Sequence, residues 1–390
     1  MKKILKSEEF ESVKGDEAFY IKKKGDKLIG MLLLHVDDFL MAGDNEFFEE
    51  TVKMFEDNLT ISKVEKDSFR FIGVDLKVLE DKIELSMEDY ATSLEEIPIR
   101  QAKKKELLAE QEMHIFRKIT GKISWLASNC RPDLCFNALK LSTKGKEARI
   151  EDMKYANSVI RKAKSKVSKV CFKKSSSSGD LVVFGLGDAL YKAGEKAVGG
   201  QMILLGRKKG EIILPIFWRS KLIRKVCKSP KDLETLNMGI MADLTIHTVN
   251  QIQQMIGKET NIEVKMFTDS LATLESVASS HQVERRMLRA DIADLKQELE
   301  YGEVNKICWL QDKRMLADIL SKERKEKLGL DDLMKENKMD ALKSADNCVT
   351  YDEGEFSILG RKLREKLIPL PKIPKRKMKK RGTEEQREEG

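Results

Sequence analysis

Several features that would place this sequence in a familiar class are missing. Its 390 residues contain no apolar run close to the roughly 20 residues of a membrane-spanning helix, so no membrane contact is expected. The six cysteines form no C-x-x-C pair and have no nearby histidine, which argues against a zinc site. No signal-like apolar stretch follows the first residues, MKKILKSEEF, and no internal repeat is found. These absences predict a protein of a reducing, intracellular compartment.

Neither sign of charge dominates the sequence. It has 73 lysine and arginine residues against 65 aspartate and glutamate residues, which gives a net charge of +8. An excess of this size favours a polyanionic partner only weakly, so such an interaction must depend on where the charges lie. The hydrophobic fraction of 41% is sufficient for buried cores. The length predicts two or three domains.

A polar segment, KKSSSSGD at residues 173–180, is typical of a linker between domains. Before it, roughly from Phe116 to Phe172, the pattern predicts a long helical region. The last part of this region, KYANSVIRKAKSKVSKV, is amphipathic and strongly basic. Such a face is usually solvated, but it is also typical of a helix that lies along a phosphate backbone.

The end of the sequence has the composition of a tail. Three of the seven prolines fall in IPLPKIPKRKMKKR, residues 368–381, and an acidic segment follows. We therefore expect residues 326–390 to be partly disordered. The basic cluster is either solubilising or a patch for nuclear import or nucleic acid. The expected location is accordingly the cytoplasm, with entry to the nucleus.

Residues 181–325 have the pattern of a mixed α/β domain. Three consecutive strands are predicted by LVVFGLGDAL, GGQMILLG and EIILPIFW. A helix follows, with Ser229 as its N-cap and Pro230 at its first position. The strand NIEVKMFTDS, the helix QVERRMLRADIADLKQELE, the strand EVNKICWL and the helix RMLADILSKERKEKL complete the order. This order predicts a mixed sheet flanked by helices.

Four acidic residues lie at the ends of these predicted elements. They are Asp188, Glu234, Asp269 and Asp318. Alternation in the first strand puts Asp188 at the end of the apolar row formed by Val182, Phe184 and Leu186. One acid at such a position is usually a cap or a solvated group, whereas four in one domain suggest a shared site. Converging carboxylates can hold two Mg²⁺ ions roughly 4 Å apart for phosphodiester hydrolysis.

Two further carboxylates, Asp37 and Asp38, lie between the apolar runs LIGMLLL and FLMAG. These runs predict two short strands joined by a tight turn. Aspartate is a common turn residue, which supports a solvated hairpin. Two adjacent hard carboxylates also suit Mg²⁺, so both interpretations stay open on these residues alone.

The motifs together resemble a known family. The four acids occur in GDALYK, SPKDLETL, FTDS and LADILSK, an order similar to that of the ribonuclease H domain of copia-type LTR retrotransposons. HVDDFLMAGD resembles the catalytic loop of the reverse transcriptase that precedes this domain in the Pol polyprotein. FRFIGVDLKV, GKISWLASNCRPDL and WRSKLIRKVCKSPKDLET resemble further segments of the same family. The resemblance covers roughly residues 18–325.

This resemblance implies a fold and an activity. Residues 1–172 would be a truncated polymerase palm followed by a helical thumb or connection, and residues 181–325 a ribonuclease H-like domain. The four acids would coordinate two Mg²⁺ ions, with Mn²⁺ as a substitute, and cut the RNA strand of an RNA–DNA hybrid. Asp37 and Asp38 would be a remnant of the polymerase metal-binding loop. The expected partners are the hybrid, other nucleic acid and another polymerase chain.

Basic residues just before the Glu234 helix suit hybrid binding. They are Lys221, Arg224, Lys225 and Lys228. Backbone contacts from such residues would hold the duplex, and its 2′-hydroxyl groups would identify the RNA strand. The alternative is a solvated basic loop.

The sequence also departs from the family pattern. Only 34 residues precede His35, and Asp16 and Asp26 lie in the hairpin just ahead of the loop rather than in an upstream palm strand. We therefore expect nucleotide addition by this chain alone to be lost. No histidine lies in residues 311–317 ahead of the last acid, and His281 is interpreted as a surface histidine. Two alternatives remain: a decayed or domesticated nucleic-acid-binding protein, and the C-terminal piece of a longer active polyprotein.

Overall fold

A computed structural model describes most of the chain. The described residues are 2–175, 180–191, 196–208, 211–257, 260–279, 286–323, 329–344, 347–352 and 354–359. His281, residues 176–179 of the predicted linker and residues 360–390 of the predicted tail therefore lie outside the described residues. Within them the chain is a mixed α/β protein with three sheets, which confirms the predicted fold class.

The first sheet is antiparallel, with its strands in sequence order. Its strands are β1 (Glu11–Ser12), β2 (Phe19–Lys24), β3 (Lys27–His35) and β4 (Asp38–Gly43), and its helices are α1 (Lys2–Ser7) and α2 (Asn45–Asn58). Phe47 of α2 packs directly onto Gly30 and Gly43, where any side chain on these glycines would overlap its ring. The sheet and both helices share their own apolar core around Leu32 and Phe55.

A second antiparallel sheet and four helices follow. The strands are β5 (Ser68–Phe71), β6 (Val74–Val78), β7 (Lys82–Ser86) and β8 (Lys169–Lys173), and the helices are α3 (Glu88–Thr92), α4 (Glu110–Asn129), α5 (Cys135–Ser142) and α6 (Ile150–Lys164). The single helical region predicted from Phe116 to Phe172 is wrong in its last part, because β8 pairs with β7. The β-prone residues Val170 and Phe172 gain a strand partner about 85 residues away in sequence, which local periodicity cannot show.

Arg131 joins the helices of this second unit. Its side chain is 4% exposed, and its Nε donates a 2.8 Å hydrogen bond to Asp133 Oδ1. Its Nη1 donates to the carbonyl of Ala163 at 2.7 Å, and its Nη2 donates to the carbonyl of Lys162 at 3.2 Å. Arg131 therefore supplies donors to carbonyls at the C-terminal end of α6, where the helix's own N–H groups run out.

The third sheet has seven strands in the order β11-β10-β9-β12-β13-β14-β15. These strands are β9 (Leu181–Leu190), β10 (Val198–Arg207), β11 (Ile213–Leu222), β12 (Ile262–Thr268), β13 (Lys306–Trp309), β14 (Asn347–Asp352) and β15 (Glu355–Leu359). The accompanying helices are α7 (Pro230–Ile256), α8 (Leu271–Ala278), α9 (Leu288–Glu300) and α10 (Asp318–Ser321). The strands β9, β12 and β13 are mutually parallel, and the other pairs are antiparallel.

The two faces of this sheet belong to different cores. Val182, Phe184 and Leu186 of β9 join a core shared with α4, α5 and α6, whereas Val183 faces a core with α7 and α9. The alternation predicted for β9 is therefore confirmed. Because one core spans the helical unit and the large sheet, β9 is fixed on both faces near the end that carries Asp188.

The large sheet extends beyond residue 325. β14 and β15 come from the stretch predicted as a partly disordered tail, and β14 pairs with β13. Cys308 and Cys348 lie opposite each other on β13 and β14 and form a disulfide. The sequence gives no spacing signal for a pair separated by 40 residues. None of the helices described is both long and apolar enough to cross a membrane.

Candidate active site

Asp188 lies near the carboxyl end of β9, an interior strand of the seven-stranded sheet. Its side chain is 1% exposed. Ser321, at the end of α10, donates a hydrogen bond from Oγ to Asp188 Oδ2. Asp188 is thus a buried carboxylate held between the strand end and the short helix α10, which begins at Asp318.

Glu234 reaches the same place from α7, which packs across β9. The helix begins as predicted, because the Ser229 hydroxyl accepts a backbone hydrogen bond in the first turn and Pro230 is the first helical residue. In the next turn, Glu234 Oε1 accepts a hydrogen bond from the backbone N–H of Ala189 at 3.2 Å. This bond holds the Glu234 carboxylate beside the end of β9.

Asp269 follows β12, the parallel neighbour of β9. Phe267 pairs in register with Leu186, so Asp269 is level with Asp188 at the same edge of the sheet. Trp309, at the end of β13, donates a hydrogen bond from Nε1 to the backbone carbonyl of Asp269 at 3.0 Å. The position of Asp269 is thereby set by both the strand register and an indole from the next strand.

These three acids form a compact group. Asp188, Glu234 and Asp269 each offer one carboxylate oxygen, and the three oxygens lie within 4.8 Å of one another. Glu234 Oε2 is buried and accepts no hydrogen bond from the described residues. Buried polar atoms normally have partners, and hard carboxylate oxygens are the ligands that Mg²⁺ prefers. The donor set and the unsatisfied oxygen therefore fit a divalent metal ion.

The electrostatics of the group agree with this interpretation. Burial, followed by the negative charges of Asp188 and Asp312, raises the pKa of Asp269 to about 7. Burial and the charges of Asp188 and Asp269 raise the pKa of Glu234 well above its ordinary value. Like charges held together without a cation disfavour ionisation, and a bound cation would reverse that effect.

Asp318 is the fourth predicted acid, and the three-acid group does not include it. It is fully buried at the start of α10, and Lys322 Nζ forms an ion pair with its Oδ1. Lys322 Nζ is also 3.9 Å from Asp188 Oδ1. The sequence predicted a long helix here, but α10 ends at Ser321 because Lys322 has extended backbone angles. The motif LADILSK therefore forms one helical turn that holds Asp318, Ser321 and Lys322 against Asp188.

Side chains that were not predicted from the sequence hold the backbone of Asp188 in place. Asn237, one turn after Glu234, donates a hydrogen bond from Nδ2 to the backbone carbonyl of Asp188 at 3.0 Å. The Nε2 of Gln201 donates to Asn237 Oδ1, and Arg219 Nε donates to Gln201 Oε1 at 2.8 Å. Asn237 and Gln201 are fully buried. Only the spacing of Asn237 from Glu234 on one helix could have signalled this role.

Glycines on β10 allow the helices to approach the sheet. Gly200 lies opposite Asp188, and a Cβ there would be 2.5 Å from the carbonyl oxygen of Ala317 and 2.7 Å from Leu320 Cβ. A Cβ on Gly199 would overlap the Asn237 amide. The GG pair therefore lets α7 and α10 sit close to the strands that carry the acids.

The predicted nucleic-acid-binding residues lie on and after β11. Lys221, Arg224, Lys225 and Lys228 are all exposed, and Lys225 Nζ is 3.1 Å from Asp291 Oδ2 of α9. The segment that connects β11 to α7 is therefore basic, with exposed lysine and arginine side chains. Its contact with a nucleic acid remains a prediction.

Asp37 and Asp38 lie at the turn between β3 and β4 of the first sheet, a different sheet from the one that carries these acids. The predicted hairpin is present, with His35 pairing with Asp38. Both carboxylates are exposed, and Val36 at the turn is 85% exposed with φ of 53°. In the described part of the chain, the one three-acid group that could hold a metal does not contain them.

No model of a known family matches the chain, and no curated protein matches it. Among solved structures, it is similar to the foamy viral protease-reverse transcriptase in complex with an RNA/DNA hybrid, with 15% identity and a TM-score of 0.42. That similarity covers 76% of this chain and 37% of the foamy viral chain, so this chain spans little more than a third of that protein.

Two ribonucleases are also similar over part of the chain. LC11-RNase H1 in complex with an RNA/DNA hybrid is 13% identical, with a TM-score of 0.25, over 35% of this chain and 88% of its own. RNase H1 from Halobacterium salinarum NRC-1 is 10% identical, with a TM-score of 0.25, over 43% of this chain and 100% of its own. Similarities of this size establish no activity.

Proposed function

We propose that residues 181–325 are a metal-dependent nuclease that hydrolyses the RNA strand of RNA–DNA hybrids. The observation that carries this proposal is the group formed by Asp188, Glu234 and Asp269, whose carboxylate oxygens converge within 4.8 Å at one edge of a mixed sheet. Three carboxylates that converge from a strand, a helix and the end of a second strand can bind one divalent ion together. Solvated capping residues would have no reason to converge in this way.

Each acid has a defined role in the proposed site. Asp188, Glu234 and Asp269 would hold one Mg²⁺ ion, and Asp188 with Asp318 would hold a second, with Mn²⁺ as a substitute. When bound, the two ions stabilise the negative charge that develops on the scissile phosphate. The backbone N–H of Ala189 orients Glu234, and the Trp309 indole orients Asp269. These contacts hold the carboxylates in place before substrate arrives.

The exposed basic segment supplies the proposed contact with substrate. Lys221, Arg224, Lys225 and Lys228 would bind the phosphate backbone, which fixes the register of a duplex without reading its sequence. In this proposal the chain is part of a copia-type retrotransposon Pol polyprotein. Asp37 and Asp38 are then a remnant of its polymerase loop, and the protein acts in the cytoplasm with entry to the nucleus.

The test uses the full chain and labelled 20-base-pair duplexes of about equal composition. RNA–DNA hybrid, duplex DNA and duplex RNA are compared in Mg²⁺, with either strand of the hybrid labelled. The proposal predicts cleavage of the hybrid's RNA strand and no cleavage of its DNA strand. Asp57→Asn, which changes an exposed acid on α2, serves as the matched control and should cleave as wild type does. Cleavage of duplex DNA at the same rate as hybrid would contradict the assigned substrate.

A further inference from the structure

A lysine ammonium lies where two of the proposed metal ligands face each other. Lys322 Nζ contacts Asp318 Oδ1, and it lies 3.9 Å from Asp188 Oδ1 and 3.8 Å from Asp312 Oδ1. The Asp188 and Asp318 side chains are 1% and 0% exposed, whereas Lys322 is 29% exposed. The lysine therefore brings a positive charge from the surface to two buried carboxylates.

The carboxylates that neighbour Asp188 differ in whether a positively charged side chain neutralises them. Toward Asp318, the buried carboxylates share the Lys322 ammonium. Toward Glu234 and Asp269, no lysine or arginine of the described residues forms an ion pair with either acid, and Glu234 Oε2 has no hydrogen-bond donor. A buried carboxylate is strongly disfavoured unless a cation or donors compensate it. Among the described residues, one side is thus compensated by a cation of the chain itself and the other is not.

An ammonium and a divalent ion cannot both occupy the space between Asp188 and Asp318. Both would use the same carboxylate oxygens, and two cations at such short separation repel each other. Lys322 has a flexible four-carbon stem and is partly exposed, so its ammonium can move without disturbing the backbone. Asp312, whose side chain is 54% exposed, lies on the solvent side and offers a carboxylate toward which it can move.

We propose that Lys322 is a resident counter-cation at the second metal position, and that it makes the two ions bind in order. The first ion binds to Asp188, Glu234 and Asp269 without competition. The second binds only when the Lys322 ammonium leaves Asp318. This inference rests on the proposed function, because it concerns the metal site of that nuclease. Lys322 is a positioning residue, since it acts through Asp318 and Asp188.

The test counts bound ions rather than measuring turnover. Mn²⁺ is titrated into the full-length chain at pH 7.5, and free Mn²⁺ is followed by electron paramagnetic resonance. Wild type should bind one ion tightly and a second at least 10-fold more weakly. Glu234→Gln identifies the first ion by removing it, and Asp318→Asn identifies the second.

Lys322→Met is the decisive variant. It should raise the affinity for the second ion at least 10-fold, and it should lower the metal-free melting temperature because two buried carboxylates lose their cation. Mn²⁺ should then raise that temperature by more than it does in wild type. Lys322→Arg should keep the wild-type order. Lys313→Met, which changes an exposed lysine in the turn before α10, is the matched control and should behave as wild type.

Three outcomes would overturn the inference, and a fourth would contradict the proposed nuclease instead. A lower melting temperature with unchanged affinity for the second ion would make Lys322 a structural residue only. A weaker second ion in Lys322→Met would mean that the lysine assists binding rather than competes. If wild type cleaves the hybrid but wild type and Lys322→Met give identical Mn²⁺ binding curves, the nuclease is supported and the counter-cation role is contradicted. In the fourth outcome, wild type binds Mn²⁺ in order, Lys322→Met abolishes that order, and wild type does not cleave the hybrid. This result would support the counter-cation role and contradict the nuclease.

Discussion

Glu234 and Asp188 are linked through a single backbone group, because Glu234 Oε1 accepts a hydrogen bond from the N–H of Ala189, the residue after Asp188. A helix and a strand far apart in sequence are thereby locked together at the position where both carboxylates converge. The same helix continues the link one turn later, where Asn237 donates to the carbonyl of Asp188 itself. The geometry of the site thus depends on how α7 is seated on β9.

Asn237→Ala should weaken both the fold and the site. It leaves the buried Gln201 amide without an acceptor, which costs about 2 kcal/mol of unfolding free energy. It also frees the backbone of Asp188, so hybrid cleavage should fall through kcat more than through KM. Urea unfolding and steady-state kinetics measure the two effects. Asn250→Ala, at an exposed position on the same helix, is the control, and equal loss in both variants would contradict the positioning role.

Asp269→Asn should stabilise the metal-free protein while removing activity. The pKa of Asp269 is about 7 when folded, against about 4 for an unperturbed aspartate, so the folded state binds the proton more tightly. Its contribution to stability is therefore full below pH 4 and is lost as the pH rises toward 7 and beyond. Asparagine has no proton to lose and stays neutral at every pH, so it should raise the unfolding free energy at pH 8 by about 1–3 kcal/mol.

Thermal unfolding between pH 4 and pH 8, without divalent ions, measures this effect. Wild type should lose stability across that range more steeply than Asp269→Asn. Adding Mg²⁺ at pH 8 should stabilise wild type and leave the variant nearly unchanged. Parallel pH profiles for the two proteins would show that Asp269 does not titrate in the way its surroundings imply.

Gly200→Ala should displace α10 from the sheet. The added Cβ meets the carbonyl of Ala317 and the side chain of Leu320, both of which belong to the segment that positions Asp318. We expect a loss of about 1–3 kcal/mol from overpacking and a loss of cleavage of at least 10-fold. Gly239→Ala is the matched control, because nothing lies within 4 Å of its added Cβ. A Gly200→Ala protein as stable and active as Gly239→Ala would contradict the close approach.

Arg131→Ala should destabilise the helical unit without touching the site. Arg131 is the buried partner of Asp133, and removing it leaves that carboxylate with the more distant Lys162 ammonium, 3.8 Å away, and removes a donor from the carbonyl of Ala163. Breaking a buried pair in this way costs about 3–5 kcal/mol. Although burial acts to raise the pKa of Asp133, the Arg131 hydrogen bond and charge lower it overall, so this stabilisation should also fade as the pH drops below 4. Urea unfolding at pH 7 and pH 3 measures both effects, and Arg117→Ala, at an exposed position on α4, is the control.

Local sequence patterns predicted the elements whose signals are local. The strand β9 begins and ends where LVVFGLGDAL does, and α7 begins at Pro230 after its Ser229 cap. Elements defined by distant pairing were missed. The strand β8 is short and basic and depends on β7, while β14 and β15 depend on an edge of the sheet formed much earlier in the chain.

The acidic residues of the candidate site could be predicted from the sequence, but the contacts that surround and support them could not. The strand-end positions of Asp188 and Asp269 follow from alternation and sheet order, and parallel pairing then brings them level. The Asp318–Lys322 pair has the i,i+4 spacing that a helix brings together, but the approach of Lys322 to Asp188 could not be derived, because it depends on how α10 packs against β9. The supporting chain through Gln201 and Arg219 likewise depends on the register of antiparallel strands.

The most direct test of the central claim is hybrid cleavage by full-length wild type beside Asp188→Asn, in Mg²⁺ at pH 7.5 with the RNA strand labelled. Asp188 is the acid shared by both proposed metal positions, so its neutral isostere should reduce the cleavage rate at least 100-fold while the protein stays folded by circular dichroism. An active wild type with an equally active Asp188→Asn, or a folded wild type that binds Mg²⁺ and hybrid without cutting either strand, would contradict the claim.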